Sequence, residues 1–297
     1  MIDFEALAAT PLRQVPYEWA LTEHALDAGR AGALIDTFPT QDFWQIAGHD
    51  GEKSYTYDAR PLVILGADRA PNLAPLSNAW QEAVDDLLSP RYREALGEAL
   101  GTSLDGALME ANVWRWPNAA HLGPHLDMRQ KLATHIFYLN AGWNSWWGGC
   151  LRILNSKDEE DVAAEIPPQL GNASLLVRSD RSWHTVTPVG AAPVPRRSLI
   201  VTWFHPGSES PTWYEDSDGA VRTFAEPPGA IRHEAPVPLG LSALEAHAAA
   251  TEARCAQLTG ARDRKLVRGA LAAARVVDTV RGRVSASRQA VVARRHR

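Results

Sequence analysis

His125 and Asp127 stand two positions apart in "HLGPHLDMRQK" (121–131), and His184 follows in "SWHTVTPV". Two imidazoles and one carboxylate on one face of iron(II) leave the opposite face open for oxygen chemistry. On an extended segment, positions i and i+2 point to the same side, so His125 and Asp127 can converge on one ion. The third ligand must arrive from another strand, and His184, 57 residues past Asp127, can supply it. In a chain with 10 histidines, an H-x-D alone is weak evidence and reads more readily as a hydrogen-bonded surface loop. His121 would face a different strand pair. His135 alternates with Thr134, Ile136 and Tyr138, so it points away from the surface those three line. What decides the metal reading is the set of elements that positions the three residues.

From about residue 107 the texture is short β-type runs: "ALMEANVWRW", "ATHIFYLN", "GGCLRILNS", "NASLLVRS", "SWHTVTPV" and "RRSLIVTWF". Turn-rich pieces separate them and no helical crossover intervenes, which predicts a sandwich or jelly roll. The acidic piece 156–171 reads as a solvated connection, and "KSYTYDARPLV" (53–63) as part of a lid. Before this region, 17–35 and 78–100 show the three- and four-residue apolar spacing of helices. The fold class expected is mainly β with flanking helices: a double-stranded β-helix (jelly roll, cupin-like) core, N-terminal helices and a C-terminal helical extension.

Composition separates the two ends. Residues 240–297 hold 12 Lys+Arg against 4 Asp+Glu, while the rest holds 18 against 31 and contains every aromatic residue. The division expected is 1–239 as one domain, its jelly-roll core at about 105–207, and 240–297 as a basic α-helical extension. Ser242 and Glu245 stand in capping-box spacing at its start. No aromatic is interleaved with its arginines for base stacking, which argues against nucleic acid. Its Ala/Val stripe could pair two copies as a homodimer. Two cysteines, an acidic and polar N-terminus and no apolar run of 18 residues predict a cytoplasmic chain with no membrane span.

From about 110 to 205 the chain resembles the iron(II)/2-oxoglutarate-dependent oxygenases, in particular their prolyl-4-hydroxylase-like branch. The resemblance rests on the H-x-D at 125–127, "YLN" at 138–140, "GGCLRIL" at 148–154, "SDR" at 179–181, "HTVTPV" at 184–189 and "RRSL" at 196–199. It implies that His125, Asp127 and His184 are the catalytic metal ligands. Arginine matches a carboxylate with two hydrogen bonds, and the family carries such a basic residue for the distal carboxylate of 2-oxoglutarate. The R-x-S pattern favours Arg196 with Ser198, while counting back from Trp203 favours Arg197. Tyr138 resembles a tyrosine that bonds the same carboxylate.

The chemistry implied is oxidation of an unactivated C–H bond with release of succinate and CO2, using Fe(II), 2-oxoglutarate and O2, with ascorbate as an optional reductant. Asp127 itself disfavours halogenation, since halogenases of this superfamily lack that carboxylate. Trp116, on the strand before the motif, and Arg129 and Lys131 after it are the substrate-binding candidates. "GWNSWWGG" (142–149) either covers the pocket or packs its rim. Three functions stay open: oxidation of a small molecule such as an amino acid, sugar or secondary metabolite; hydroxylation of a peptide side chain; and a jelly-roll binding module without turnover. Terminal helices that would wall a pocket favour the first.

Overall fold

The computed structural model describes residues 1–50, 53–63, 75–190 and 192–208, with three short strands beyond them. All lie within the unit Met1–Pro238. The segment 240–297, its expected helices and their pairing lie outside the described residues.

Period-two alternation builds the frame. Strand β4 (Leu108–Trp116), β6 (Lys131–Tyr138) and β11 (Arg196–Phe204) lie side by side with β11 in the middle. Thr202 pairs with Thr134 on one side and Glu110 on the other, and Ser198 with Tyr138 and Trp114. Met109, Ala111, Val113, Phe137, Leu199, Val201 and Trp203 therefore share the outer face. Trp116, Ile136, Tyr138 and Ile200 share the inner one.

Four helices are described: α1 (Phe4–Ala9), α2 (Ala28–Asp36), α3 (Asn78–Leu88) and α4 (Pro90–Leu100). Trp80, Leu87, Tyr92 and Leu96 pack into the outer apolar cluster. Burying each such side chain contributes about 1.5–3 kcal/mol. The helix expected over 78–100 is two helices, because Pro90 brings no N–H and Ser89 offers a cap. Ser89 Oγ accepts the Tyr92 N–H at 3.2 Å, and Gly101 ends α4 at φ +64°.

Three other expectations give way to strands. Within 17–35 only α2 is helical, while β1 (Trp19–Thr22) pairs with β9 (Ala173–Val177). Backbone pairing to a distant strand satisfies an apolar run whose spacing also suits a helix. The expected lid is β3 (Lys53–Val63), which pairs with β2 (Trp44–Asp50), β4 and β5 (His121–His125). Part of the acidic connection is β8 (Val162–Ile166), an edge strand beside β7 (Leu151–Leu154), which neighbours β10 (His184–Val186). The last strands are β12 (Tyr214–Glu215) and β13 (Val221–Thr223), which pair with each other, and β14 (Ala230–His233), which pairs with β2.

Twelve strands form one antiparallel sheet whose main path runs β1-β9-β6-β11-β4-β3-β5-β10-β7-β8. It curls on itself as a half-barrel of jelly-roll type. Leu122, Leu151, Ile153 and Val186 from one end of the path join Trp116, Tyr138 and Ile200 in a single inner cluster. No described helix is long and apolar enough to cross a membrane.

Candidate metal centre

The curl brings two histidines face to face. His125 on β5 is the register partner of His184 on β10, and their ring centroids are 4.2 Å apart. Asp127 follows two residues after His125, just beyond the end of β5. One ligand atom from each of the three lies within 4.8 Å of the others, and His125 Nε2 is 4.0 Å from Asp127 Oδ1.

Backbone carbonyls fix both imidazoles. His125 Nδ1 lies 2.9 Å from the Gly123 carbonyl and His184 Nδ1 2.9 Å from the Ser182 carbonyl. A carbonyl can only accept, so each Nδ1 carries the proton and each Nε2 presents its lone pair to the cluster. Asp127 is held at both oxygens: Lys131 Nζ donates to Oδ1 at 2.7 Å and Thr134 Oγ1 to Oδ2 at 2.8 Å. Burial opposes its ionisation, yet Lys131, His184 and His125 together keep the carboxyl well below the usual range. One carboxylate and two neutral imidazoles, oriented in advance, suit a divalent first-row ion with open positions.

A second constellation lies on the same inner surface. Arg196 is 1% exposed and points inward, its guanidinium 4.9 Å from the Trp116 ring centre and 5.6 Å from that of Tyr138. Its Nε donates to the Gly149 carbonyl at 2.7 Å and Nη1 to Ser198 Oγ at 3.2 Å. Burial lowers its pKa to about 10, and no acidic side chain among the described residues pairs with it. A buried cation without an anion costs several kcal/mol, so the arrangement fits a carboxylate-bearing ligand. Arg197, one residue on, lies on the outer face over Phe38, 4.6 Å from its ring centre.

Residues 111–205 match the model of the 2OG-Fe(II) oxygenase superfamily. That stretch belongs to the 2OG-Fe(II) oxygenase superfamily. The chain is accordingly an oxidoreductase of the dioxygenase kind, whose family uses Fe(II), 2-oxoglutarate and O2. No curated protein matches the chain. One similar solved structure is a 2OG-Fe(II) oxygenase family oxidoreductase from Burkholderia pseudomallei: 20% identity, 69% of this chain and 92% of that one, TM-score 0.49. Another is a prolyl-4-hydroxylase from Pseudomonas putida: 18% identity, 68% and 96%, TM-score 0.43. A third is the non-heme alpha-ketoglutarate-dependent epimerase SnoN of nogalamycin biosynthesis: 15% identity, 68% and 82%, TM-score 0.43.

Within this oxygenase core the remaining candidates fall in different places. Ser198 and Tyr138 adjoin Arg196, but the Tyr138 hydroxyl shares a hydrogen bond with Ser174 Oγ at 2.8 Å. Trp116 is buried against Arg196. Lys131 engages the Asp127 carboxylate, and Arg129 sits exposed on the turn after it. His135 points outward as expected and shares a 2.9 Å hydrogen bond with Tyr92. Of the tryptophan cluster, Trp143 is buried near Gly149 and Trp146 is 85% exposed.

Three supporting groups escaped the sequence reading. A Cβ at Gly149 would stand 2.9 Å from Arg196 Cδ, so the second glycine of "GG" makes room for the arginine. Asn140, in "YLN", clamps the backbone of Arg197: its Oδ1 accepts the N–H and its Nδ2 donates to the carbonyl, each at 2.9 Å. Thr134 steadies Asp127. Asn140 and Gly149 lie inside quoted motifs, but type alone does not reveal their roles.

Proposed function

We propose that this oxygenase oxidises an unactivated C–H bond of a small molecule, hydroxylation being the simplest outcome. In this reading His125, Asp127 and His184 hold the iron, and Arg196 with Ser198 holds the distal carboxylate of 2-oxoglutarate. The observation that carries it is the pairing, on one inner surface, of a preset His-Asp-His cluster with a buried arginine that lacks an anion. When bound, the metal with 2-oxoglutarate and O2 supplies an oxidant able to take hydrogen from carbon, with succinate and CO2 as co-products.

The chain's own residues supply placement. Gly123 and Ser182 fix which imidazole nitrogen faces the metal, and Lys131 and Thr134 keep Asp127 anionic and oriented. Trp116, Tyr138 and Gly149 hold the guanidinium in its plane. Support for a small substrate comes from the inner face near the cluster. There Tyr57 stacks on Trp114 with centroids 4.1 Å apart, and the buried polar atoms of Tyr17, Asn112 and Trp114 lack partners. An apolar wall with a few polar atoms is typical of a small-ligand site. The described helices pack on the outer face, so they add no wall.

Anaerobic titration with Fe(II) and 2-oxoglutarate tests the metal and co-substrate assignments. A weak visible charge-transfer band should form, vanish in His125→Ala and Asp127→Ala, and need much more 2-oxoglutarate in Arg196→Ala. A folded wild type that gives no band would overturn the reading. Succinate release would then be screened with small amines, amino acids, sugars and peptides. Stimulation by peptides alone would overturn the small-molecule half.

A further inference from the structure

Beside the metal cluster stands a hydroxyl that holding iron and 2-oxoglutarate does not use. Tyr17 is 2% exposed and belongs to the inner cluster with Trp19 and Leu176. Its hydroxyl is buried without a hydrogen-bond partner among the described residues. An unmet donor in a buried site is costly until a ligand supplies its acceptor.

Backbone pairing fixes where Tyr17 stands. Trp19 pairs with Leu176 and Leu176 with Thr134, whose hydroxyl bonds Asp127. One row further, Glu18 accepts the Val177 N–H at 3.0 Å, which carries the register on to Tyr17 and Arg178. Arg178 donates its N–H to the Leu132 carbonyl and its Nε to the Asp127 carbonyl, at 3.0 and 3.4 Å. Tyr17 therefore reaches the inner face at the level of Asp127. Burial, and after it the field of Asp127, push the phenol pKa up, so the proton stays on.

Neither the metal ligands nor the co-substrate site meets that proton. The Asp127 oxygens bond Lys131 and Thr134. Arg196 lies at the other end of β11, six residues from Thr202, the partner of Thr134. Six residues of strand span roughly 20 Å. What remains for Tyr17 is the third molecule, the substrate.

The chemistry of the unmet atoms selects the group it takes. A phenol donates more strongly than it accepts, because its ring draws on the oxygen lone pair. Trp114 Nε1, buried and unpartnered in a side chain packed on the same inner cluster, can only donate. Asn112 Oδ1, also unmet, accepts. A hydroxyl or carbonyl oxygen suits the two donors, and a hydroxyl suits the amide as well. An ammonium brings donors only and leaves both N–H and O–H unmet.

Resting on the oxygenase reading, we propose that the Tyr17 hydroxyl donates to a neutral oxygen of the substrate and so sets which carbon faces the metal. This deepens the proposed function to an alcohol or carbonyl compound as substrate class, with Tyr17 as its specificity determinant.

The test uses one ring with three headgroups on the full chain: cyclohexanol and cyclohexanone against cyclohexylammonium. Without metal, the ultraviolet difference spectrum reads Tyr17 directly, since donation from a phenol moves its absorption to the red. With Fe(II) and 2-oxoglutarate, the charge-transfer band reads binding beside the metal. The alcohol and the ketone should saturate both signals, and the ammonium neither. Tyr17→Phe keeps the ring, and should lose the tyrosine signal and bind the two neutral probes about ten-fold more weakly. No tyrosine signal in wild type, equal affinity in a natively folded Tyr17→Phe, or tighter binding of the ammonium would overturn the assignment. If Tyr17→Phe fails to fold, the wild-type difference spectrum alone decides. A tyrosine signal without any charge-transfer band would keep the contact and sink the oxygenase reading. A band without the tyrosine signal would do the reverse.

Discussion

On the proposed reading Arg196 binds a carboxylate only if its guanidinium stays in one plane, and three neighbours decide that. Gly149 is the most exacting, since its φ is +66° and a Cβ would press on Arg196. Gly149→Ala should therefore raise the KM for 2-oxoglutarate about ten-fold or more while Fe(II) still binds. Left-handed strain would also lower stability by about 1–2 kcal/mol, visible in denaturant melts. Unchanged 2-oxoglutarate affinity would show that Arg196 does not need this contact. The choice between Arg196 and Arg197 could not be made from spacing alone, because either lies within reach of a strand start. Register settles their sides: Arg196 pairs with inward Trp116, and Arg197 with outward Arg115. That His125, Asp127 and His184 would come together was legible for the opposite reason. H-x-D on an extended segment has only one geometry, and the histidine opposite it had few rivals with a β-type context.

Between β6 and α4, His135 and Tyr92 form a clasp that also sets a pH dependence. Burial lowers the His135 pKa to about 3, against 6.5 for the unfolded chain. A histidine kept neutral in the fold gives stability that is complete above pH 6.5 and declines as pH falls toward 3. The slope from this one group approaches about 1.4 kcal/mol per pH unit. Unfolding midpoints measured from pH 7 to 4 should fall faster in wild type than in His135→Gln; parallel curves would refute the assignment. At the α3–α4 junction, Ser89→Ala should cost about 1 kcal/mol through loss of the cap, read as a lower Tm with unaltered 2-oxoglutarate binding. The strands around 107–205 were readable because alternation and turn residues are local signals. The strand nature of β1 and β3 was not, because it depends on partners far along the chain: β1 on β9, and β3 on β4 and β5.

At the scale of the molecule, metal should act as a structural ligand as well as a chemical one. At a free Fe(II) concentration a hundred times its Kd, the folded state gains about 2.7 kcal/mol. Calorimetry under nitrogen should show a Tm higher by roughly 5–10 °C, absent in Asp127→Ala. A chain shortened to residues 1–239 should keep this shift, as proposed for a self-sufficient oxygenase domain, and sedimentation of both lengths would reveal any dimer made by the basic tail. The two Nδ1–carbonyl bonds carry one more consequence. Because the imidazoles are oriented before any ion arrives, affinity would follow the intrinsic order of the ions, with nickel and copper above iron. Selection among metals would then rest on supply during synthesis, and protein eluted from nickel resin would carry a tight, redox-silent occupant until a chelator removed it.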